Sequence, residues 1–285
     1  MHLLLVELES GLALAAVYAV LSMSLTFTYS VTGVVQLAQG DVMMCGAYAG
    51  YFVGTQVANL PLVLVAGAVA SAMVAAVLYQ AAFRWLLNVG HLPPLVVGLA
   101  FSTAIEESLR ILFFSGHPAP YPVLTASLGS NGTELVVIGV TIVVGVLFAV
   151  GLRYTGVGRG LRAVADNIEV ARLLGVRANR MRFLSFVVGG AIAGVAGVLV
   201  SVIYQSISFD SGASLEFVAL ACVLLGGLGS VPGALIGSLV IGIGQALLST
   251  YVSSSYANAL VFGVVLIVIV FRPAGILGIE RTVRA

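Results

Sequence analysis

From Phe217 to Phe271 the chain runs for 55 residues without an Asp, Glu, Lys or Arg. A bilayer core is crossed by about 20 mostly apolar residues in a helix, so this run is too long for one span and holds two or three. Residues 10–40, 42–83, 111–133, 135–152 and 183–209 are uncharged in the same way. The expected fold is all-α: a polytopic membrane bundle of about eight spans, some short or broken, forming a single transmembrane domain over residues 1–285. Composition agrees, with 60% of residues hydrophobic, 8% charged and a mean hydropathy of +1.16. Soluble domains carry about 25% charged residues, which excludes an ordinary cytoplasmic enzyme. A net charge of +1 gives no general attraction to nucleic acid.

Glycine, proline and small polar clusters divide the runs into spans at 11–31, 34–57, 61–82, 93–114, 134–152, 183–203, 213–229 and 233–271. The last holds two short spans separated near 249–255. The count is eight if 34–57 or 213–229 is broken or re-entrant, and nine if both cross fully. The N-terminus carries Glu7 and Glu9 and no positive region before its first run, so it reads as an uncleaved membrane helix rather than a secretory signal.

Charge placement sets the orientation. Seven of the twelve basic residues, all of them Arg, fall between Arg153 and Arg182, and short loops rich in Arg stay in the cytoplasm. Arg272, Arg281 and Arg284 place the C-terminus on that side too. Glu134, Asp210 and Glu216 are expected to mark loops on the opposite face. The proline- and glycine-punctuated interval 115–133 reads as an external loop, either a simple connector or a partner contact.

The basic loop 153–182 is more than a topology signal. Within residues 158–183, Gly160–Ala165 suits a short helix, Asp166 or Asn167 a cap for a second, Glu169 its first turn and Gly175 its end. Ile168, Ala171 and Leu173 or Leu174 recur near spacing three, with Glu169 and Arg172 on wetter sides. An anchor lying on anionic lipid needs the charge but not the caps and the glycine stop, which favour a protein contact.

Polar residues inside the spans are the other candidates, since ionisable groups at membrane depth are costly. Asp41 lies between two apolar runs. Gln36 and Gln39 are expected to lie one helical turn apart, and a break around Gly33 or Gly40 would expose backbone groups to a solute; mutual satisfaction within helix packing is the competing reading. Gly226, Gly227, Gly229 and Pro232 end one short span and begin another, shaping either a translocation path or a tight interface. Glu106 and Arg110 share a helix face at i, i+4 and are expected to pair. Cys45 and Cys222 read as small buried hydrophobes. His2, His91 and His117 are too scattered for a metal centre, and a chain without Lys has no Walker A phosphate site.

Three separated blocks carry a family resemblance. Residues 158–183, GRGLRAVADNIEVARLLGVRANRMRF, resemble the cytoplasmic coupling loop of permease subunits of ABC importers, in the branch that carries branched-chain amino acids; Gly158, Leu161, Arg162, Ala163, Val164, Ala165, Asn167, Ala171, Arg172, Gly175 and Val176 match its pattern. Residues 32–50, with Gln36, Gln39, Gly40, Asp41 and Met44, are similar to the family's N-terminal block, although its acid is often the longer Glu. Residues 224–245 and 271–278 resemble its glycine-rich pair and closing signature. The resemblance implies a bacterial or archaeal plasma (inner) membrane protein that is not an enzyme and binds no cofactor. Its implied partners are a second permease chain, two ATP-binding subunits that hold ATP and Mg, a solute-binding protein outside, and membrane lipid, but no nucleic acid. Coupling to the ATP-binding subunit would run through Leu161, Arg162, Ala163, Ala165, Asn167, Glu169, Ala171, Arg172 and Gly175, and the path or its gate through Gln36, Gln39, Gly40, Asp41, Gly226, Gly227, Gly229 and Pro232. The cargo implied is leucine, isoleucine and valine, with urea or short amides as alternatives. A stand-alone ion-coupled transporter or channel, using Glu106 and Glu107, is the rival class, and a membrane scaffold with no transport role is argued against by the breaks near 33–41 and 226–233.

Overall fold

A computed structural model describes residues 2–57, 59–87, 89–90, 92–113, 117–122, 129–253, 263, 266 and 275–277. Expectations for a span at 256–271, for His91, for most of 271–278 and for Arg272, Arg281 and Arg284 lie outside the described residues. The elements in order are α1 (His2–Thr32), α2 (Gln39–Gln56), α3 (Leu60–Leu78), a π-helical turn at Tyr79–Phe83, α4 (Arg84–Leu86), α5 (Leu92–Leu112), β1 (Ala119–Pro120), α6 (Gly129–Tyr154), α7 (Gly156–Asp166), α8 (Ile168–Leu173), α9 (Ala178–Tyr204), β2 (Ser206–Ile207), α10 (Ser211–Gly226), α11 (Val231–Leu248) and a second π-helical turn at Ser249–Ser253. The fold is an all-α membrane bundle; its two-residue strands β1 and β2 pair antiparallel as a clasp between loops.

Among the described residues five helices are long and apolar enough to cross a membrane: Leu8–Thr32, Leu60–Leu86, Gly132–Tyr154, Ala178–Tyr204 and Val231–Tyr251. The eight spans expected from the sequence thus reduce to five on this test. The span expected at 34–57 becomes α2, whose Asp41, glutamines and glycines dilute it; the one at 93–114 becomes α5, which carries Glu106, Glu107 and Arg110; the one at 213–229 becomes the short α10.

Burial sorts the helices into layers. In α1, 89% of the most apolar stretch is buried inside the protein, against 6% in α6, so α1 is central and α6 turns nearly all of its apolar surface outward, as lipid requires. α1 packs on α9 and α11, while α2, α3 and α9 form a second tight group. Glycine permits these approaches. A Cβ on Gly190 would stand 2.5 Å from that of Ala75, one on Gly194 would fall on the carbonyl oxygen of Gly67, and one on Gly197 on that of Met43. The series is a packing stripe, as its spacing indicates. Cys222 is buried and Cys45 half-buried, and neither is in a disulfide.

Two loop positions expected from charge are corrected. Glu134 sits inside α6, which starts at Gly129, and Glu216 sits inside α10, almost fully buried. An acid in an apolar run reads as a loop only when no polar group within the fold receives it, and Glu216 has one.

The α1–α11 contact offers a paired test. A Cβ on Gly242 would collide with the backbone of Ala15, whereas one on Gly244, on the same helix, meets nothing within 4 Å. Gly242→Ala is expected to destabilise by about 1–3 kcal/mol through overpacking, and Gly244→Ala to leave stability unchanged or raise it by up to about 1 kcal/mol, measured by denaturant unfolding in detergent micelles.

Candidate functional site

α1 ends at Gly33, whose φ of +75° a side chain would resist and whose amide bonds the Tyr29 carbonyl at 2.7 Å. Residues 33–38 are not helical, and Val34, Gln36 and Ala38 are buried. The chain therefore turns back into the bundle before α2 begins. Gln39, the first residue of α2, donates through Nε2 to Ser24 Oγ at 2.5 Å, and Ser24 Oγ donates to the Gly189 carbonyl of α9 at 2.7 Å. Ser24 lies two turns before the end of α1, so α2 starts about 12 Å inside the bundle. Of the two positions expected for a break, Gly33 is the one that breaks and Gly40 lies within α2, and Gln36 and Gln39 do not share a helical turn, because Gln36 belongs to the non-helical segment.

A helix that starts inside a bundle leaves backbone N–H groups without partners. Ala38 supplies no side-chain cap. The cap comes from α10: Glu216 Oε2 accepts from the Gly40 amide at 2.9 Å. The positive end of the α2 dipole favours a carboxylate there. Reaching it requires the two backbones to touch. A Cβ on Gly40 would overlap the Gly212 carbonyl, and one on Gly212 would stand 2.8 Å from Asp41 Oδ1. Asp41, in the first turn of α2, accepts through Oδ2 from Ser102 Oγ of α5 at 2.5 Å. Asp41 and Glu216 thus flank one glycine–glycine crossing. Among the described residues neither acid has a salt-bridge partner, and Asp41 Oδ1, Glu216 Oε1 and both amide atoms of Gln36 lack hydrogen-bond partners. The arrangement holds acceptors for an incoming donor. Ser24, Ser102 and Glu216 were missed by sequence reading; the available signal was a lone acid five residues into an apolar helix.

The glycine-rich turn at 226–233 is built of backbone contacts. Gly227 and Gly229 have φ of +108° and +86°, Ser230 Oγ caps α11 by accepting from the Gly233 amide at 3.2 Å, and Pro232 lies in the first turn of α11. Gly226 faces the Gly233 carbonyl. The amides of Ile276 and Leu277 donate to the Leu225 and Gly226 carbonyls at 2.8 and 2.9 Å, so residues 275–277 close the end of α10. These contacts describe a tight interface.

The expected Glu106–Arg110 pair is replaced by Glu107–Arg110 at 2.8 Å, with both side chains about half exposed. Both spacings bring helical neighbours together, and the pair formed is the one at i, i+3.

At the opposite end of α9 from Tyr204, α7 and α8 form the basic helical pair. Thr155 Oγ1 caps α7 by accepting from the Gly158 amide at 2.9 Å. Asn167 Oδ1 caps α8, accepting from the amides of Glu169 and Val170 at 2.9 and 3.1 Å, and Gly175, φ +82°, stops it. Leu161, Val164 and Ala171 are buried with Phe27, Val31 and Ala178, which fastens both helices to α1 and α9; Ala163 and Ala165 pack beside them. Arg162, Asn167, Glu169, Arg172 and Gly175 are exposed. Leu173 and Leu174 are 87% and 76% exposed and Val170 50%. The expected apolar face is therefore split: Ala171 points inward, while the two leucines and Val170, unassigned by sequence, point out. Among the described residues no three His, Cys, Asp or Glu side chains gather to hold a metal ion.

The crossing of α2 and α10 can be tested by keeping or removing its acceptor. Glu216→Gln preserves an oxygen for the Gly40 amide and is expected to melt near wild type. Glu216→Leu leaves that amide unmet and is expected to cost about 1–3 kcal/mol, read from thermal unfolding of the purified membrane protein.

Comparison with known proteins gives one consistent result. A family described as "Branched-chain amino acid transport system / permease component" matches residues 7–270. The chain is 29% identical over 291 residues to the high-affinity branched-chain amino acid transport system permease protein LivH of Escherichia coli (strain K12), covering 95% of this chain and 94% of the relative. It is also 29% identical to BraD of Pseudomonas aeruginosa, covering 95% of each chain. The ribose import permease protein RbsC of Haemophilus influenzae is 26% identical over 277 residues, covering 90% of this chain and 81% of the relative. No solved structure matches. With its bundle of membrane helices and a family match over nearly its whole length, the chain belongs to the permease-component family of branched-chain amino acid transport systems.

Proposed function

We propose that the chain is the membrane permease of an ATP-driven importer, translocating leucine, isoleucine and valine, and that it hands the chemistry to separate ATP-binding subunits. The observation that carries this reading is the exposed apolar knob of Val170, Leu173 and Leu174 on the capped helix α8. A patch of this kind amid exposed arginines is what a protein partner covers. Leu161, Ala163, Ala165 and Ala171 would transmit its displacement by fastening α7 and α8 to α1 and α9, and Arg162, Asn167, Glu169, Arg172 and Gly175 would hold its shape and charge.

The full assembly on this reading is two permease chains, two ATP-binding subunits carrying ATP and Mg on the cytoplasmic side, and a solute-binding protein outside. Support for the cargo comes from LivH and BraD, named for branched-chain amino acids; RbsC, named for ribose, marks how far cargo diverges on one scaffold, so urea or short amides stay alternatives. α2, α5 and α10 would add three spans to the five long ones, giving eight across the described helices of one permease domain. At 18 and 16 residues, α2 and α10 measure about 27 and 24 Å, short of the ~30 Å core, and suit discontinuous helices near a solute path. Gln36, Gln39, Gly40 and Asp41 would lie on that path, with the Gly226, Gly227, Gly229 and Pro232 turn fixing its inner end. Loop 153–182 and the C-terminus face the cytoplasm by the positive-inside rule.

The test targets the knob. Leu173→Asp with Leu174→Asp is expected to leave the permease folded, because both side chains are exposed, while lowering solute-stimulated ATPase of the reconstituted complex at least tenfold. Unchanged stimulation would contradict the reading. A charge at Ala171, buried to 1% exposure, would instead disrupt the seating of α8 and test folding.

A further inference from the structure

A cavity of about 260 Å³ lies among α1, α2, α9, α10 and α11, at the end of the bundle opposite α7 and α8. The 27-residue α9 separates the two ends, about 40 Å at the helical rise. One wall of the cavity is hydrogen-bonding: Tyr18, Ser201, Tyr204, Ser214 and Gln245 line it. Tyr18 donates to Gln245 Oε1 at 2.8 Å, tying α1 to α11 across the cavity. The other wall is apolar, from Met44, Leu215 and Val218. No charged side chain is among the lining residues.

The floor is informative. Met44 lies one turn above Asp41 on α2, and a Cβ on Gly212 would stand 2.9 Å from Met44 Cγ and 2.8 Å from Asp41 Oδ1. The Met44–Gly212 contact therefore separates the neutral cavity from the two buried acids. Asp41 and Glu216, each with one carboxyl oxygen unpartnered among the described residues, are the acidic side chains directly beneath it.

We propose that this cavity is an outward-facing receiving chamber for a small amphiphilic solute of zero net charge that bears an ammonium group: the aliphatic α-amino acid class. The assignment rests on the permease reading and adds to it a place and a selection rule. A neutral lining penalises a solute with net charge, which would lose its hydration without meeting a counter-charge. The Met44–Leu215–Val218 wall receives an aliphatic side chain. Under the floor, Asp41 Oδ1 and Glu216 Oε1 are unpartnered hydrogen-bond acceptors among the described residues, so the ammonium end, which carries the donors, leads inward once Met44 and Gly212 part. The volume lies just below the ~300–1,000 Å³ of pockets for drug-sized ligands, in keeping with a solute of fewer atoms.

The test uses the full complex with its solute-binding protein in right-side-out vesicles. Cys45→Ala and Cys222→Ala remove the native thiols, and Ser214→Cys or, in a second variant, Ser211→Cys places one at the chamber wall. A membrane-impermeant thiol reagent is added outside. Modification is expected in both variants, slowed at least fivefold by saturating leucine and less than twofold by glutamate, lysine or ribose. Equal labelling with and without leucine, in vesicles that still accumulate leucine, overturns the chamber while leaving the permease reading intact. Equal protection by glutamate and leucine overturns the selection rule. Vesicles with a fully assembled complex that accumulate no branched-chain amino acid contradict the cargo reading itself.

Discussion

The bond between the Gly40 amide and the Glu216 carboxylate is the contact on which the interior of this bundle depends. α2 begins inside the protein, where water cannot reach its first amides, and a helix start in that position stands only if another element brings it an acceptor. α10 does so, and Gly40 and Gly212 are glycines because the carboxylate arrives only when the two backbones touch. Ser102 holds the adjacent Asp41 from the α5 side, and Gln39 ties the same turn to Ser24 and through it to α9. Five helices thereby meet at one short stretch of sequence.

Much else follows from that junction. α10 starts at the level of the junction, and the space beside its first turns, between α9 and α11, is the cavity, with Met44 at its floor where it meets Gly212. The other end of α10 closes on the glycine turn and on residues 275–277. At the Ala178 end of α9, by contrast, packing is ordinary and apolar: Leu161, Val164 and Ala171 seat α7 and α8 on Phe27, Val31 and Ala178. A displacement imposed on α8 thus has a packed route into α1 and α9, the two helices that also line the cavity.

Local chemistry was legible in the sequence and tertiary placement was not. Gly175 as a stop is borne out, and of the open pairs, Asp166 or Asn167 for the cap and Gly33 or Gly40 for the break, the structure takes Asn167 and Gly33, all set by groups a few residues away. Glu216 was taken for a loop marker because its reason for being buried lies 176 residues away on α2. Arg110 has acids at both i−3 and i−4, and spacing along one helix does not choose between them; the pair formed is with Glu107. Leu173 and Leu174 fit an inward apolar stripe by spacing, yet the inward place is filled by the smaller Ala171, leaving both leucines exposed. Three of the expected spans miss the test of length and apolarity for two reasons: α2 and α5 carry polar groups that build the junction or decorate the rim, and α10 is apolar but only 16 residues long.

The central claim is that this chain moves solute only as the driven half of an ATP-powered machine. The most direct measurement is leucine accumulation in right-side-out vesicles holding the purified complex, with ATP sealed inside and ionophores collapsing every ion gradient. Accumulation that persists with the gradients gone and stops when ATP is replaced by a non-hydrolysable analogue is the expected result. Accumulation by this chain alone, without ATP and abolished by the ionophores, would contradict the account and make it an ion-coupled transporter.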